Sequence, residues 1–177
     1  MSLPLSAPQP LSAAHLSDEF ACGESSLDEW LKRRALPNQL NGASRTFAAV
    51  DSQGYIRGYY AMAAGSVSHP RATSRVRRNM PDPIPVMVLG RLAVDHRAQG
   101  IKLGAALLQD AIKRAAAVSQ NTGVRALLVH ALHERAAQFY RHYGFQPSPQ
   151  HPLTLMLRLN LETAVDRLQP SGQPRGY

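Results

Sequence analysis

The residues of this chain best placed to do chemistry lie in the stretch Leu89-Gly90-Arg91-Leu92-Ala93-Val94-Asp95-His96-Arg97-Ala98-Gln99-Gly100-Ile101-Lys102-Leu103-Gly104-Ala105-Ala106-Leu107-Leu108. An apolar run gives way to a short glycine-containing loop, which opens directly into an amphipathic helix. That order aims unpaired backbone N–H groups and the positive end of a helix at one point, an arrangement suited to a pyrophosphate. An ordinary strand-to-helix turn that needs glycine for its backbone angles has the same pattern, and spacing alone leaves both readings open. A second pair, His130 and His133, has spacing that suits a metal. No cysteine or carboxylate cluster accompanies it, so no metal is expected. Cys22 stands far upstream, without a neighbouring base motif, and is expected to be inert.

These residues need a frame, and the composition supplies one. With 177 residues, 44% hydrophobic and 18% charged, the chain is long enough for one domain with a proper core. A single cysteine excludes an intrachain disulfide and points to a reducing, cytoplasmic setting. No apolar run approaches the roughly 18 residues of a membrane span, no membrane association is expected, and no export signal is evident. Lys and Arg number 20 against 12 for Asp and Glu, a net +8. Such a surplus favours a polyanionic partner, although solubility alone also accounts for it.

The periodicities give an order of elements. Residues 1–20 suggest an extended lead-in or an edge strand. Ser26-Leu27-Asp28-Glu29 reads as a capping box. It opens a helix with Leu27, Trp30, Leu31 and Ala35 inward, Lys32, Arg33 and Arg34 outward, and Pro37 and Gly42 at its end. Arg45–Val50 and Tyr55–Ala64 form a hairpin about the turn at 51–54. Residues 65–85, with Arg71, Arg75, Arg77 and Arg78 and then Pro81, Pro83 and Pro85, read as a basic surface loop. Val86–Val94 is a strand covered on both faces. Leu103–Val118 is a helix with Leu103, Leu107, Leu108, Ala111, Ile112, Ala115 and Val118 in one stripe and Gln109, Asp110, Lys113 and Arg114 opposite. Val124–Ala131 is a strand, Glu134–Tyr143 a helix stopped by Gly144, and Leu153–Leu159 the last strand. A domain over 1–162 and a polar tail over 163–177 follow, with an α/β fold built on one twisted sheet.

The segment 89–108 resembles the core signature of the GNAT (GCN5-related N-acetyltransferase) superfamily. His133-Glu134-Arg135-Ala136-Ala137-Gln138-Phe139-Tyr140-Arg141-His142-Tyr143-Gly144-Phe145 is similar to the late helix of that superfamily. The resemblance implies a single GNAT-type domain, a mixed twisted central sheet flanked by helices, and acetyl-coenzyme A as co-substrate. It assigns coenzyme binding to Leu92 and Val94 and to the loop Gln99, Gly100, Ile101, Lys102, Leu103 and Gly104, with His133 where many relatives carry asparagine. Lys102 replaces a glycine of the family pattern and is expected to lie already in helical geometry, where its Cβ is tolerated. The resemblance also makes Tyr140, otherwise a core aromatic by type, the catalytic candidate. An amine that attacks a thioester creates an oxyanion, which a backbone donor at Val94 would stabilise, and expels a thiolate, which a phenol can protonate.

A narrower resemblance covers nearly the whole chain. Gly42-Ala43-Ser44-Arg45-Thr46-Phe47, the run Arg77-Arg78-Asn79-Met80-Pro81-Asp82-Pro83-Ile84-Pro85, the run from Leu89 to Asp95 and Leu128-Val129-His130-Ala131-Leu132 are similar to the acetyltransferase toxins of bacterial toxin–antitoxin modules. This implies acetylation of the α-amine of aminoacyl-tRNA, a block to translation, and a ribbon-helix-helix antitoxin as partner; a homodimer is expected. An α-amine titrates near 7.7–8.0 in model peptides, so no strong general base is needed. Lys32, Arg33, Arg34, Arg71, Arg75, Arg77 and Arg78 are the candidates for the tRNA backbone. Two other readings remain open: an N-acetyltransferase for a protein or small-molecule amine, and a catalytically idle, basic nucleic-acid-binding module.

Overall fold

The computed structural model describes residues 4–160, and the polar tail over 163–177 lies outside them. Strands β1 (Gln9–Pro10), β2 (Arg45–Val50), β3 (Ile56–Val67), β4 (Ile84–Val94), β5 (Ala126–His130), β6 (Gln146–Pro147) and β7 (Thr154–Arg158) are interleaved with helices. The helices are α1 (Ser25–Trp30), α2 (Leu36–Asn41), α3 (Ser74–Arg77), α4 (Leu103–Ser119) and α5 (Glu134–His142). The strands make a central mixed sheet in the order β1-β2-β3-β4-β5-β7-β6. Two compact units divide the chain: residues up to Ala64 with Val88–Ala111, and Gly65–Met87 with the residues from Ile112 on.

In the first unit, β2 and β3 form the expected antiparallel hairpin, with Ala48 opposite Tyr59 and Phe47 opposite Tyr60. Its turn is held by Asp51, whose Oδ1 accepts the N–H groups of Gln53 and Tyr55 at 2.9 and 3.0 Å. Adjacent residues on β3 then meet different partners. Tyr59 joins a buried cluster with Phe20, Leu31, Ala35 and Ala93. Tyr60 donates its hydroxyl hydrogen bond to Asp110 of α4, so Asp110, expected on the helix's polar face, is committed to a strand tyrosine. A Cβ on Gly58 would lie 2.8 Å from Leu103 and 2.9 Å from Leu107, so α4 packs against β3 more closely than alanine would allow.

The capping box does not form. Glu24 is the N-cap and makes no side-chain cap bond, while Asp28 turns back to accept the N–H of Cys22 at 2.9 Å. Pro37 does not end the helix either. A five-residue π turn over Leu31–Ala35 leads into α2, and the wider turn carries the helix past the N–H that proline lacks. Gly42, at φ 81°, is the terminator. Leu31 and Ala35 are buried and Lys32, Arg33 and Arg34 exposed, as the pattern requires.

In the second unit, the region expected to be a surface loop is partly built. β3 runs on to Val67, a 3-10 turn covers His69–Arg71, and α3 follows. Val67, Ala72, Thr73 and Val76 are buried and anchor it; the sparse apolar residues are spaced to face one side, which a search for dense apolar runs passes over. β5 and β7 pair antiparallel, with Leu128 opposite Met156. Ala126, Leu127, Leu128 and Val129 are all buried, as are Leu155, Met156 and Leu157.

Candidate functional site

The glycine-containing loop begins where β4 ends. Asp95 is fully buried and accepts N–H groups from Ala21 at 3.0 Å and Arg97 at 2.9 Å. The buried Arg57 lies 3.6 Å from Asp95 and 3.1 Å from Asp51. Burial disfavours the Asp51 anion, but N–H groups of Tyr55 and Gln53 and the Arg57 guanidinium outweigh it and lower its pKa. Removing one member of such a buried pair costs about 3–5 kcal/mol, so this network fixes the strand end from which the loop departs.

From that end the backbone makes two left-handed excursions, at Gly100 (φ 84°) and Lys102 (φ 63°). The expectation that Lys102 is helical is therefore corrected. It precedes α4 and keeps the left-handed conformation that a glycine adopts without strain, at about 1–2 kcal/mol for an L-residue. Its carbonyl accepts the first α4 bond, from Ala106 N–H at 3.1 Å. The N–H groups of Leu103, Gly104 and Ala105, in the first turn, thus have no intrahelical acceptor. A Cβ at Gly100 would meet nothing within 4 Å, so open space lies over the loop. Ile101 and Lys102 are exposed and Gly104 is half-buried. Gln99 donates its side-chain amide to the carbonyls of Val94 (3.0 Å) and Cys22 (3.2 Å), so it braces the loop against β4. Backbone donors at a helix start under open space fit a pyrophosphate.

Leu92 and Val94 are half-buried on β4. Cys22, close in sequence to α1, has its thiol pushed up to about 11 by burial and by the Asp28 hydrogen bond. It stays protonated at neutral pH and is a poor nucleophile.

In the second unit, His133 is the N-cap of α5, its Nδ1 accepting the N–H of Ala136 at 3.1 Å. Its partner in the histidine pair, His130, contacts Thr154 Oγ1 through Nδ1 at 3.0 Å. No group of three metal-ligating side chains assembles among the described residues. Tyr140 is 6% exposed and packs edge-on against Phe139 and Phe145 at 5.2 and 5.6 Å between ring centroids. Burial pushes its hydroxyl pKa upward. A phenol so placed keeps its proton throughout the neutral range.

The basic candidates fall into two groups. Lys32, Arg33 and Arg34 occupy the π turn of the first unit, Arg33 paired with Glu29 at 2.8 Å. Arg71, Arg75, Arg77 and Arg78 are exposed in the second unit. Arg77 lines a cleft of about 520 Å3 with Ser74, Gln146 and Pro147. Sequence reasoning missed what holds this segment. Arg125 donates to the carbonyls of Val76 (3.1 Å), Arg75 (3.2 Å) and Arg78 (3.1 Å), capping α3 with a guanidinium that suits a helix C-terminus. Burial, with Arg158 nearby, lowers the Arg125 pKa. Arg57 was also missed; its signal was an arginine amid the apolar residues of a strand, which must bring a buried partner.

Residues 43–147 match the acetyltransferase (GNAT) domain family. A protein of Mycobacterium tuberculosis named "tRNA-acetylating toxin" is 51% identical over 152 residues, 86% of this chain and 91% of that one. The structure is similar to that of AtaT complexed with acetyl-methionyl-tRNAfMet, with a TM-score of 0.83 and 25% identity over 93% of this chain and 99% of that one. It is also similar to a tyrosine-to-phenylalanine mutant of the toxin AtaT bound to the C-terminus of the antitoxin AtaR and acetyl-CoA, with a TM-score of 0.79 and 25% identity over 93% and 99% of the two chains.

Proposed function

This chain belongs to the GNAT acetyltransferases, and on that premise we propose that it moves an acetyl group from acetyl-CoA to the α-amine of aminoacyl-tRNA, which blocks translation. The observation that carries this reading is the 51% identity, over most of both chains, to a tRNA-acetylating toxin. The exposed arginines of the 71–78 segment support it, since a cationic surface with an ordered backbone suits a nucleic-acid phosphate chain.

Bound acetyl-CoA supplies a thioester as the acyl donor. In this reading the first-turn N–H groups of α4 and the backbone of the Gln99–Gly104 loop hold the pyrophosphate, and the β4 residues Leu92 and Val94 align the pantetheine side. The Val94 N–H stabilises charge on the carbonyl oxygen. Tyr140 would give its hydroxyl proton to the departing thiolate sulfur and regain one from solvent, to which the amine releases its own. The chain needs no strong base for this, because an α-amine is partly neutral near pH 7.7–8.0. His133 serves α5 as a cap in addition to any coenzyme contact. A ribbon-helix-helix antitoxin as the neutralising partner, a homodimer, a cytoplasmic setting and one domain over 1–162 complete the reading. No helix among the described residues is long and apolar enough to cross a membrane.

The test is incubation with acetyl-CoA and total charged tRNA, followed by release and identification of the acylated amino acids. N-acetylated amino acids should appear, with log affinity for tRNA falling against log salt by roughly 0.7–0.9 per phosphate contacted. Tyr140→Phe should bind coenzyme normally yet slow single-turnover transfer by about 10²–10⁴-fold. Equal, salt-insensitive transfer to lysine peptides or free amines would return the enzyme to the small-amine reading.

A further inference from the structure

Two arginines stand on neighbouring strands of the first unit and are treated differently. Arg57, on β3, is 6% exposed and faces Asp51, Asp95 and Glu19 within 3.1 to 3.6 Å. Arg91, on β4, is half-buried and its guanidinium carbon lies 4.6 Å from the centre of the Trp30 ring. Trp30 in turn stacks on Tyr59, 6.1 Å away and 10° from parallel. The Nε of Arg91, like the Nη1 of Arg57, is buried without a hydrogen-bond partner, but Arg91, unlike Arg57, forms no ion pair among the described residues. Asp28, an acid of adjacent α1, uses its carboxylate on the N–H of Cys22.

A guanidinium is always charged, and burying one without a counter-ion is costly. The indole offsets part of that cost and keeps the guanidinium against its face. An anion with two oxygens matches the guanidinium fork, and a phosphate has that geometry. From Trp30 the chain passes into the π turn, an element frequent at functional sites, whose exposed residues Lys32, Arg33 and Arg34 add positive charge.

We infer that Arg91, held by Trp30, is an anion site for the phosphate of the nucleotide that carries the acceptor amine. The assignment rests on the aminoacyl-tRNA reading above. Arg91 lies three residues before Val94, about 10 Å along an extended strand. A span of that size separates an α-amine, across its ester and ribose, from the phosphate of the same nucleotide. Arg91 shares strand parity with Ala93, which belongs to the Tyr59 cluster, whereas the coenzyme candidates Leu92 and Val94 have the other parity. The coenzyme is therefore the less suitable source of the phosphate.

The experiment compares acetylation of an aminoacyl-adenosine with that of the same compound bearing a 5′-phosphate. In the wild type the phosphate should raise kcat/KM by about 10- to 100-fold, the worth of a hydrogen-bonded charge pair. In Arg91→Met that ratio should fall to about one, and in Arg91→Lys, which keeps the charge but not the flat fork, it should be intermediate. A wild-type ratio of one, or a ratio unchanged in either variant, overturns the site. So does a rise in KM for acetyl-CoA with the ratio intact, which would give Arg91 to the coenzyme. If Arg91→Met does not fold, as read by circular dichroism, the ratio in Arg91→Lys decides alone. Transfer to charged tRNA but to neither ester overturns the site alone; transfer to none of the three removes the substrate reading, and this assignment with it.

Discussion

The loop Gln99–Gly104 and the segment Arg71–Arg78 are both short and both present exposed groups that suit phosphates, yet they are shaped by opposite means. The loop is shaped from within: left-handed backbone at Gly100 and Lys102, then a helix start that leaves N–H groups free. The basic segment is shaped from outside, by one side chain some 50 residues away, since Arg125 holds the carbonyls of Arg75, Val76 and Arg78. A local backbone device tolerates changes elsewhere but not on itself. A device stapled from a distance can lose its order through a residue that touches no ligand.

The comparison can be broken at several points. Gly104→Glu should have the largest effect, because it puts a carboxylate in the first turn that offers donors to a pyrophosphate. Affinity for coenzyme A, measured by calorimetry, should drop on the order of 100-fold with the fold intact. Unaltered affinity would place the coenzyme elsewhere. Arg125→Met should come next. Leaving the α3 carbonyls without their donor should cost about 1–3 kcal/mol, toward the lower end because the group is only half-buried. Amide hydrogen exchange should quicken at residues 74–80 and tRNA affinity should fall, while coenzyme affinity holds. Exchange unchanged in that segment would mean that α3 is held by its own buried Val76. Lys102→Gly should have the smallest effect. Relief of left-handed strain, about 1–2 kcal/mol, is partly cancelled by the entropy that glycine loses on folding. The net should be a gain of up to about 1 kcal/mol, a rise of roughly 2–4 °C in Tm, with coenzyme affinity equal or better. A fall in both would show that the Lys102 side chain is used.

Much of the frame could be read from the residues themselves. The hairpin about Asp51, the long helix from Leu103 and the strand before it follow from period and turn chemistry, and the structure has each within a few residues, although that strand, expected to be covered on both faces, is half-buried at many positions and exposed at Gly90. The misreadings share a cause. Ser26 and Glu29 have the spacing of a capping box, but a cap forms only if nothing else claims the helix start, and Asp28 is drawn to Cys22. Pro37 is a helix breaker on its own, yet a π turn with Leu31 and Ala35 packed into the core carries the helix through. Lys102, at a glycine position of the family pattern, is expected in helical geometry because its Cβ is tolerated there, whereas the backbone that leads into α4 has φ 63° at this residue.

The sequence by itself determined the main strands and helices and the family signature, because these depend on residue type at fixed local spacing, and the resemblance carried by that signature made Tyr140 a candidate. It also determined that a lone cysteine and an excess of cations must be accommodated. Only the tertiary structure decided which charges are matched. Arg57 and Arg91 look alike in sequence, each an arginine within an apolar strand, but one meets carboxylates from three separate segments and the other meets an indole and none. The carboxylates of Glu19, Asp51 and Asp95 are brought together by the pairing of distant strands, and their long-range convergence leaves no period in the chain to reveal it. The physical reason is that charge compensation acts through space, while periodicity records only which face of an element turns inward.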